Sequence, residues 1–420
     1  MLTKKLKQLS SNRLVRNLGW LGGAELILRV FRLVTTVTLA RVFTPYEYGM
    51  VSIIYTVFEF GNTLSLRAGI AAKLIQTDEQ ELAPLCQTAY WLNWILCGSL
   101  FLFQCLAAYP IAQFYDNNQL ILPICALGLS YLLFPNFLVQ SALIERQNRL
   151  QVRAWCQAGR AVVSNVITVS LALLGMGVWA VVWSIVLSYF VWIAITYLNH
   201  PWRPKASFSL KQWRDLTGFG SKTLGVELLS KFRLHIDYLL VGNFLGIEAL
   251  GMYSFAFNAG LGISQSVLNA LSSAWYPHFC QVRTNLSQLK QRYFGSLKTI
   301  AIIIAPIVTL QIVLAPLYVP IVFGEKWLSA IPILRLICLS ALPIALSFSV
   351  FRLLQAVDKP HIALYWNLIF TSLFTICLLV AVQGGIIWVA IAVLAIQLLA
   401  TPIFAAWVTR YVFRSEITTL

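Results

Sequence analysis

Acidic side chains are scarce in this sequence: fifteen aspartates and glutamates among 420 residues, with charged residues of both signs reaching only 11%. A soluble chain of this length must cover its core with far more polar surface, so a soluble globular protein is excluded. Histidine is also rare, and His200, His235, His278 and His361 are scattered along the chain. The eight cysteines (Cys86, Cys97, Cys105, Cys125, Cys156, Cys280, Cys338 and Cys377) form no C-x-x-C pair and show no ligand spacing with histidine. Neither a metal site nor a disulfide framework is therefore expected, and no cofactor is implied. Most of these cysteines sit in apolar runs, where they serve as small packing residues. The start, 1-MLTKKLKQLSSNRLVRNLGW-20, is basic but lacks a compact apolar core with an A-x-A-like cleavage site. It is read as a cytoplasmic flank, not a signal peptide.

What the chain has in abundance is apolar sequence. Hydrophobic residues make up 59%, and the mean hydropathy is +0.76, against a usual apolar share of about 45–50% in soluble proteins. Segments long enough to span a bilayer are expected at 17–40, 46–71, 84–110, 118–144, 154–174, 178–198, 216–243, 248–275, 296–318, 327–354, 361–382 and 385–409. The expected fold is an all-α integral membrane protein of about twelve transmembrane helices.

The formal charge of +16 would suggest nucleic acid in a soluble chain, but here the basic residues flank the apolar spans. Lys4, Lys5, Lys7, Arg13 and Arg16 precede the first span. Lys73, then Arg146, Arg149 and Arg153, then Arg203, Lys205, Lys211 and Arg214 occupy every second loop after it. Arg283, Lys290, Arg292, Lys298, Lys359, Arg410 and Arg414 continue the alternation, while the opposite side holds only Arg41 and Lys326. Positive loops stay inside, which places both termini in the cytoplasm. The longest loop, around 199–215, is rich in Pro, Trp and basic residues and suits a membrane interface. It divides the chain into an N-terminal six-helix lobe (1–198), an interfacial linker (199–215) and a C-terminal six-helix lobe (216–420).

The stretch 24-AELILRVFRL-33 places Glu25, Arg29 and Arg32 at i, i+4 and i+7, on one helical face within an apolar run. That oddity recurs. At an offset of 202 residues, 39-LARVFTPYEYGMVS-52 aligns with 241-VGNFLGIEALGMYS-254, matching Gly49, Met50 and Ser52 to Gly251, Met252 and Ser254. Carried back one helix, 23-GAELILR-29 falls on 225-GVELLSK-231, so Glu25 meets Glu227 and Arg29 meets Lys231. Two blocks in one register indicate an internal repeat. Six helices per repeat keep both halves in the same orientation, and repeats of that kind place a substrate site between them.

Nine basic residues fall within the expected spans: Arg29, Arg32, Arg67, Arg160, Lys222, Lys231, Arg233, Arg335 and Arg352. Only Glu25, Glu59, Glu227 and Asp237 join them. Each cation at mid-membrane costs roughly 3 kcal/mol on insertion scales, so such residues face protein or water. Lys222, Arg352, Arg160 and Arg67 lie close enough to span ends to snorkel, and Glu25–Arg29 and Glu227–Lys231 have the spacing for local pairs. Arg32, Arg233 and Arg335 keep no evident local partner. A basic cavity for an anion is the economical reading, with Arg29, Arg32, Arg67, Lys231, Arg233, Arg335 and Asn258 as substrate-binding candidates. Glu25, Glu59, Glu227 and Asp237 are the candidates for ion coupling.

The stretches 39-LARVFTPYEYGMVS-52, 71-AAKLIQ-76, 175-GMGVWA-180, 202-WRPKASFSL-210, 238-YLLVGNFLGIEALGMYS-254 and 323-FGEKWLSAIPILR-335 together resemble the polysaccharide flippases of the MOP superfamily, in the branch of exopolysaccharide and colanic-acid-type exporters. The resemblance implies two six-helix lobes (MOP/MATE-like) around an alternating-access cavity in a bacterial inner membrane. It also implies a polyprenyl-diphosphate-linked oligosaccharide substrate, flipped from the cytoplasmic to the outer leaflet for exopolysaccharide or O-antigen synthesis. Polysaccharide polymerase and assembly proteins are the implied partners of a monomeric carrier. Where such relatives often carry a basic residue after the Gly-x-Tyr-Ser block, this chain has Asn258.

Arg suits phosphate through its planar fork, and Lys supplies a point charge. Tyr55, Asn62, Trp91, Trp94, Asn258, Gln265 and Trp366 are candidates to stack on or bond sugars, with helix packing as the competing role for each aromatic. A drug or organic-cation antiporter of the same superfamily would want acidic groups, and this interior is mainly basic. A membrane-embedded polymerase, ligase or acyltransferase would need a nucleophile–base or metal constellation that the sequence does not show.

Overall fold

A computed structural model describes residues 31–205 and 207–413, with the side chains of 219, 220, 222, 223, 226, 263 and 266 left aside. Glu25, Arg29 and the Lys222 side chain therefore lie outside what is described. The described chain is helical throughout its ordered elements. Helix α1 is described over 31–42 and is followed by α2 (Pro45–Leu64), α3 (Arg67–Gln76), α4 (Glu79–Phe114), α5 (Ile121–Leu133), α6 (Pro135–Arg146), α7 (Leu150–Leu173) and α8 (Val178–Asn199). Then come α9 (Trp213–Phe244), α10 (Ile247–Cys280), α11 (Leu286–Thr299), α12 (Ala305–Tyr318), α13 (Ile331–Leu339), α14 (Ala341–Ala356), α15 (Pro360–Ala381) and α16 (Ile386–Phe413).

Among the described residues, seven helices are long and apolar enough to cross a bilayer, and the bent pair α5–α6 makes an eighth. Eleven of the twelve expected spans coincide with helical segments, and 17–40 is described only from residue 31. Many large apolar side chains face outward, including Leu106 at 76% and Ile403 at 68% exposure. Such a surface is stable only against hydrocarbon. The chain is an integral membrane protein.

Two expected spans are broken. The segment 46–71 is two helices, because Leu66 takes a left-handed φ of 55° between α2 and α3. There the Ser65 hydroxyl donates to the Asn62 carbonyl at 2.6 Å, beside the Ser65 N–H at 3.4 Å. The segment 118–144 bends by 48° between α5 and α6, where Pro135 brings no backbone N–H.

The described residues form two compact units, one of 31–43 with 50–234 and one of 44–49 with 235–413. In the first, Ile70 and Leu74 of α3, Leu85, Ala89 and Leu92 of α4, Leu138 and Ala142 of α6, and Leu216 of α9 make one apolar core. The loop after α8 packs on it through Trp202 and Leu210. Gln87 ties that loop down by donating to the Lys205 and Ser207 carbonyls at 2.6 and 2.8 Å, and Trp91 donates to Ser207 at 3.1 Å.

His200 begins this loop. Its Nδ1 accepts the Trp202 N–H at 3.1 Å. Burial, then the charges of Arg149 and Arg203, hold its pKa below the ordinary 6.5. The imidazole is neutral in the folded chain but binds a proton in the unfolded one, so stability is held above that value and falls as pH drops below it. The thermal midpoint in detergent is expected to fall between pH 6.5 and pH 5, and less so in His200→Asn, whose amide oxygen accepts but does not titrate. Identical pH profiles for the two proteins would remove His200 as the cause.

In the second unit the repeat register becomes visible. Helix α1 ends at residue 42 and α9 at Phe244; α2 starts at Pro45 and α10 at Ile247, both pairs 202 residues apart. A Cβ on Gly49 would overlap the Ile247 carbonyl, and one on Gly251 would overlap the Pro45 carbonyl. Residues 45 and 49 thus touch 247 and 251 reciprocally, each glycine against the repeat partner of the other's neighbour.

Candidate functional site

The first unit brings four of its intramembrane charges, Arg67, Arg160, Glu59 and Lys231, near the two broken helices. Because α2 stops at Leu64, Arg67 opens α3 and its side chain turns onto the α5–α6 break. The guanidinium stacks on the Phe134 ring at 3.9 Å and lies 5.6 Å from that of Phe137. It also bonds the Tyr189 side chain, while Nη1 is buried with no hydrogen-bond partner. Arg160 of α7 lies over the other component of this shelf, 4.1 Å from the Tyr189 ring, and its Nε donates to Ser188 Oγ at 3.3 Å. The two guanidinium charges repel across Tyr189. Neither is in an ion pair with a carboxylate among the described residues.

Tyr55 and Glu59 lie one turn apart on α2. The Tyr55 hydroxyl bonds the Glu59 carboxylate, and Tyr55 is within electrostatic reach of Arg160 as well. Glu59 in turn forms an ion pair with Lys231 of α9. That pair is partly open, with side-chain exposures of 32% for Lys231 and 17% for Glu59. Arg67, Arg160 and Lys231 against Glu59 give three positive charges and one negative, a net +2. Behind them, the Tyr131 hydroxyl donates to Gln104 Oε1 at 2.7 Å, close against Gly61, where a Cβ would overlap that hydroxyl. Asn93 and Ser130 add buried polar atoms with no partner, Nδ2 and Oγ.

Several expectations are corrected by this geometry. Lys231 does not take Glu227 at i−4; it takes Glu59 from α2, and Glu227 is exposed. That cross-helix carboxylate is also bonded by the Tyr55 hydroxyl. Arg160 and Arg67 do not snorkel: both are spread over aromatic rings inside the unit. Arg352 donates to Ser272 at 2.9 Å and Gln355 at 2.8 Å, and Arg335, exposed, donates to the Ile312 carbonyl at 3.2 Å, a partner the sequence did not suggest.

The remaining candidates are dispersed. Arg32 is exposed and Arg233 half-buried. In the second unit the exposed Asn258 bonds Tyr48, and buried Asp237 accepts the Tyr253 hydroxyl at 2.7 Å. Trp366 stacks on Phe404 at 4.1 Å. Gln265 donates to Asn269 at 3.3 Å. Arg160, Tyr189 and Ser188 were absent from the candidates, and no signal in the local sequence joins α7 to α8 across 28 residues.

The chain as a whole is similar to known proteins. The profile of the family described as polysaccharide biosynthesis protein matches residues 38–332. The chain belongs to that family. It is 25% identical to the lipopolysaccharide biosynthesis protein WzxC of Escherichia coli K12, over 91% of this chain and 78% of that one. It is also 25% identical to the succinoglycan biosynthesis transport protein ExoT of Rhizobium meliloti, over 97% and 82%. The teichuronic acid biosynthesis protein TuaB of Bacillus subtilis is 24% identical, over 84% and 73%. In fold the chain is similar to the lipid II flippase MurJ in an inward closed conformation, with a TM-score of 0.74 at 13% identity, covering 93% of this chain and 86% of that one. It is similar also to an inward-facing multidrug resistance MATE transporter of the MOP superfamily, with a TM-score of 0.67 at 14% identity over 94% and 96%. The MOP fold expected from the sequence is the fold observed.

Proposed function

We propose that this protein flips a polyprenyl-diphosphate-linked oligosaccharide from the cytoplasmic to the outer leaflet of a bacterial inner membrane, by alternating access, for surface polysaccharide synthesis. The observation that carries the reading is the net +2 cluster of Arg67, Arg160, Lys231 and Glu59 inside an apolar helical unit. Its membership of a family whose relatives include a succinoglycan transport protein supports the same substrate class. A diphosphate with attached sugars cannot enter hydrocarbon unaided, because unpaired charge and polar groups there cost many kcal/mol. Guanidinium and ammonium groups already held in the membrane supply the missing counter-charge.

No covalent bond is made or broken in such a cycle; the chain binds, reorients and releases. An organic cation would meet repulsion at this cluster, which disfavours drug antiport. Arg29, the repeat partner of Lys231, is proposed as a second phosphate ligand. Both termini are proposed to be cytoplasmic, from the loop charges. The membrane potential, negative inside, favours outward movement of an anion by about 2.3 kcal/mol per charge per 100 mV. Asp237, Glu25 and Glu227 are the proposed residues for any coupled proton or sodium ion.

The test uses a polysaccharide-producing strain lacking the chain and complemented at matched protein levels. Wild type is expected to restore surface polysaccharide. Arg29→Gln with Lys231→Gln is expected to lose it, with lipid-linked precursor retained on the inner leaflet. Normal polysaccharide from that double variant would overturn the assignment of these cations to substrate.

A further inference from the structure

Glu59 has an unusual station. It is the one carboxylate of the cationic cluster among the described residues, it is ion-paired to Lys231, and it is bonded by the Tyr55 hydroxyl. Tyr55 also lies within electrostatic reach of Arg160, a second cation with a serine but no carboxylate as partner among the described residues. The carboxylate is paired to one cation and bonded to a tyrosine that a second cation also influences.

We propose that Glu59 is an internal counter-ion that the substrate's diphosphate must displace from Lys231, and that Arg160 receives it when it leaves. The idea rests on the flippase reading above and adds how the site is regulated. In the empty carrier the Glu59–Lys231 pair spares the membrane an unpaired ammonium. A diphosphate brings more negative charge and more acceptor oxygens than one carboxylate, so it wins Lys231 when present. Glu59 then moves toward Arg160, so neither Lys231 nor Glu59 is left without a counter-charge. On release the exchange reverses, and the returning carboxylate helps expel the product. Binding is held weak enough for turnover because each substrate molecule competes with a resident anion.

Three consequences distinguish this from a Glu59 that only packs or only carries a proton. Glu59→Gln removes the competitor, so purified full-length protein in detergent is expected to bind a short-chain prenyl diphosphate about tenfold more tightly than wild type. The same variant is expected to flip lipid-linked oligosaccharide more slowly, since release loses its push. Arg160→Gln is expected to weaken binding severalfold in wild type, where Glu59 has nowhere to go, and to weaken it clearly less in the Glu59→Gln background. Such non-additivity is the signature of two residues acting through one exchange.

Tyr55→Phe loosens the carboxylate without removing it, and serves if Glu59→Gln does not accumulate as folded protein. It is expected to tighten binding by about two- to threefold, as loss of one modest hydrogen bond allows. Unchanged prenyl diphosphate affinity in Glu59→Gln and Tyr55→Phe, with affinity lost in Lys231→Gln, would overturn the counter-ion and leave the flippase reading standing. No binding by wild type under conditions where it is folded would overturn both. Additive effects of Glu59→Gln and Arg160→Gln would remove Arg160 as the receiving group.

Discussion

Gly251→Leu is expected to abolish accumulation of folded protein, and Gly49→Leu to do nearly as much. At Gly251 an added Cβ would sit 2.7 Å from the Pro45 carbonyl carbon and 3.0 Å from the Gly49 nitrogen, in overlap with the Pro45 oxygen. At Gly49 it would sit 2.9 Å from the Ile247 carbonyl carbon and overlap that oxygen. These neighbours are backbone atoms at the first turns of α2 and α10, so no rotamer change can make room. Overpacking an ordinary core costs about 1–3 kcal/mol because side chains yield. Here the helices themselves must separate, against a total stability of about 5–15 kcal/mol.

The separation would also disturb Tyr48, whose ring meets Phe255 at 6.2 Å and Trp327 at 5.4 Å in the same unit. Gly98 is the control: nothing lies within 4 Å of its added Cβ, so Gly98→Ala is expected to fold normally or gain a little helix stability. The measurement is fluorescence-detected size exclusion with a thermal melt. A Gly251→Leu variant with wild-type yield and midpoint would show that the close crossing is dispensable.

That crossing was legible in the sequence as a repeat but not as a contact. Gly49-Met50 and Gly251-Met252 stood out because they match at one offset, and the helix ends at 42 and at Phe244 follow the same offset. Spans and fold class could be read because hydrophobic length is a local property of a membrane helix. The cluster could not be read in the same way. Local spacing offered Glu227 for Lys231, whereas Glu59 lies 172 residues away. Arg160 sat near a span end and resembled a snorkelling cation, since the ring it covers belongs to α8. The α2–α3 break depends on a left-handed Leu66, a conformation leucine does not advertise. Without that break, Arg67 had no reason to turn toward Phe134.

Removing Arg67 and Lys231 together is expected to lower transport by at least about 100-fold while leaving the fold close to its original stability. The charge count gives the first half. Arg67→Gln with Lys231→Gln takes the cluster from net +2 to zero, and leaves Arg160 free to take Glu59 as its partner. A diphosphate headgroup then meets a neutral site. Hydrogen bonds to a charged group are worth about 1.5–3 kcal/mol each, and tenfold in affinity is 1.4 kcal/mol, so two lost cations exceed two orders of magnitude. The second half follows from cancellation. Arg67→Gln forfeits its stacking on Phe134, worth up to about 2 kcal/mol for a desolvated cation. Yet it also removes a charge whose Nη1 lies buried without a partner, and such a charge costs a membrane helix roughly 3 kcal/mol. Stability is thus expected to shift little, in contrast to the glycine variants. The readout is flipping of a lipid-linked oligosaccharide in vesicles beside a melt of the same preparation. A double variant that transports at the wild-type rate would assign these cations to structure alone; one that fails to fold would show that Arg67 is held for its aromatic shelf rather than for an anion.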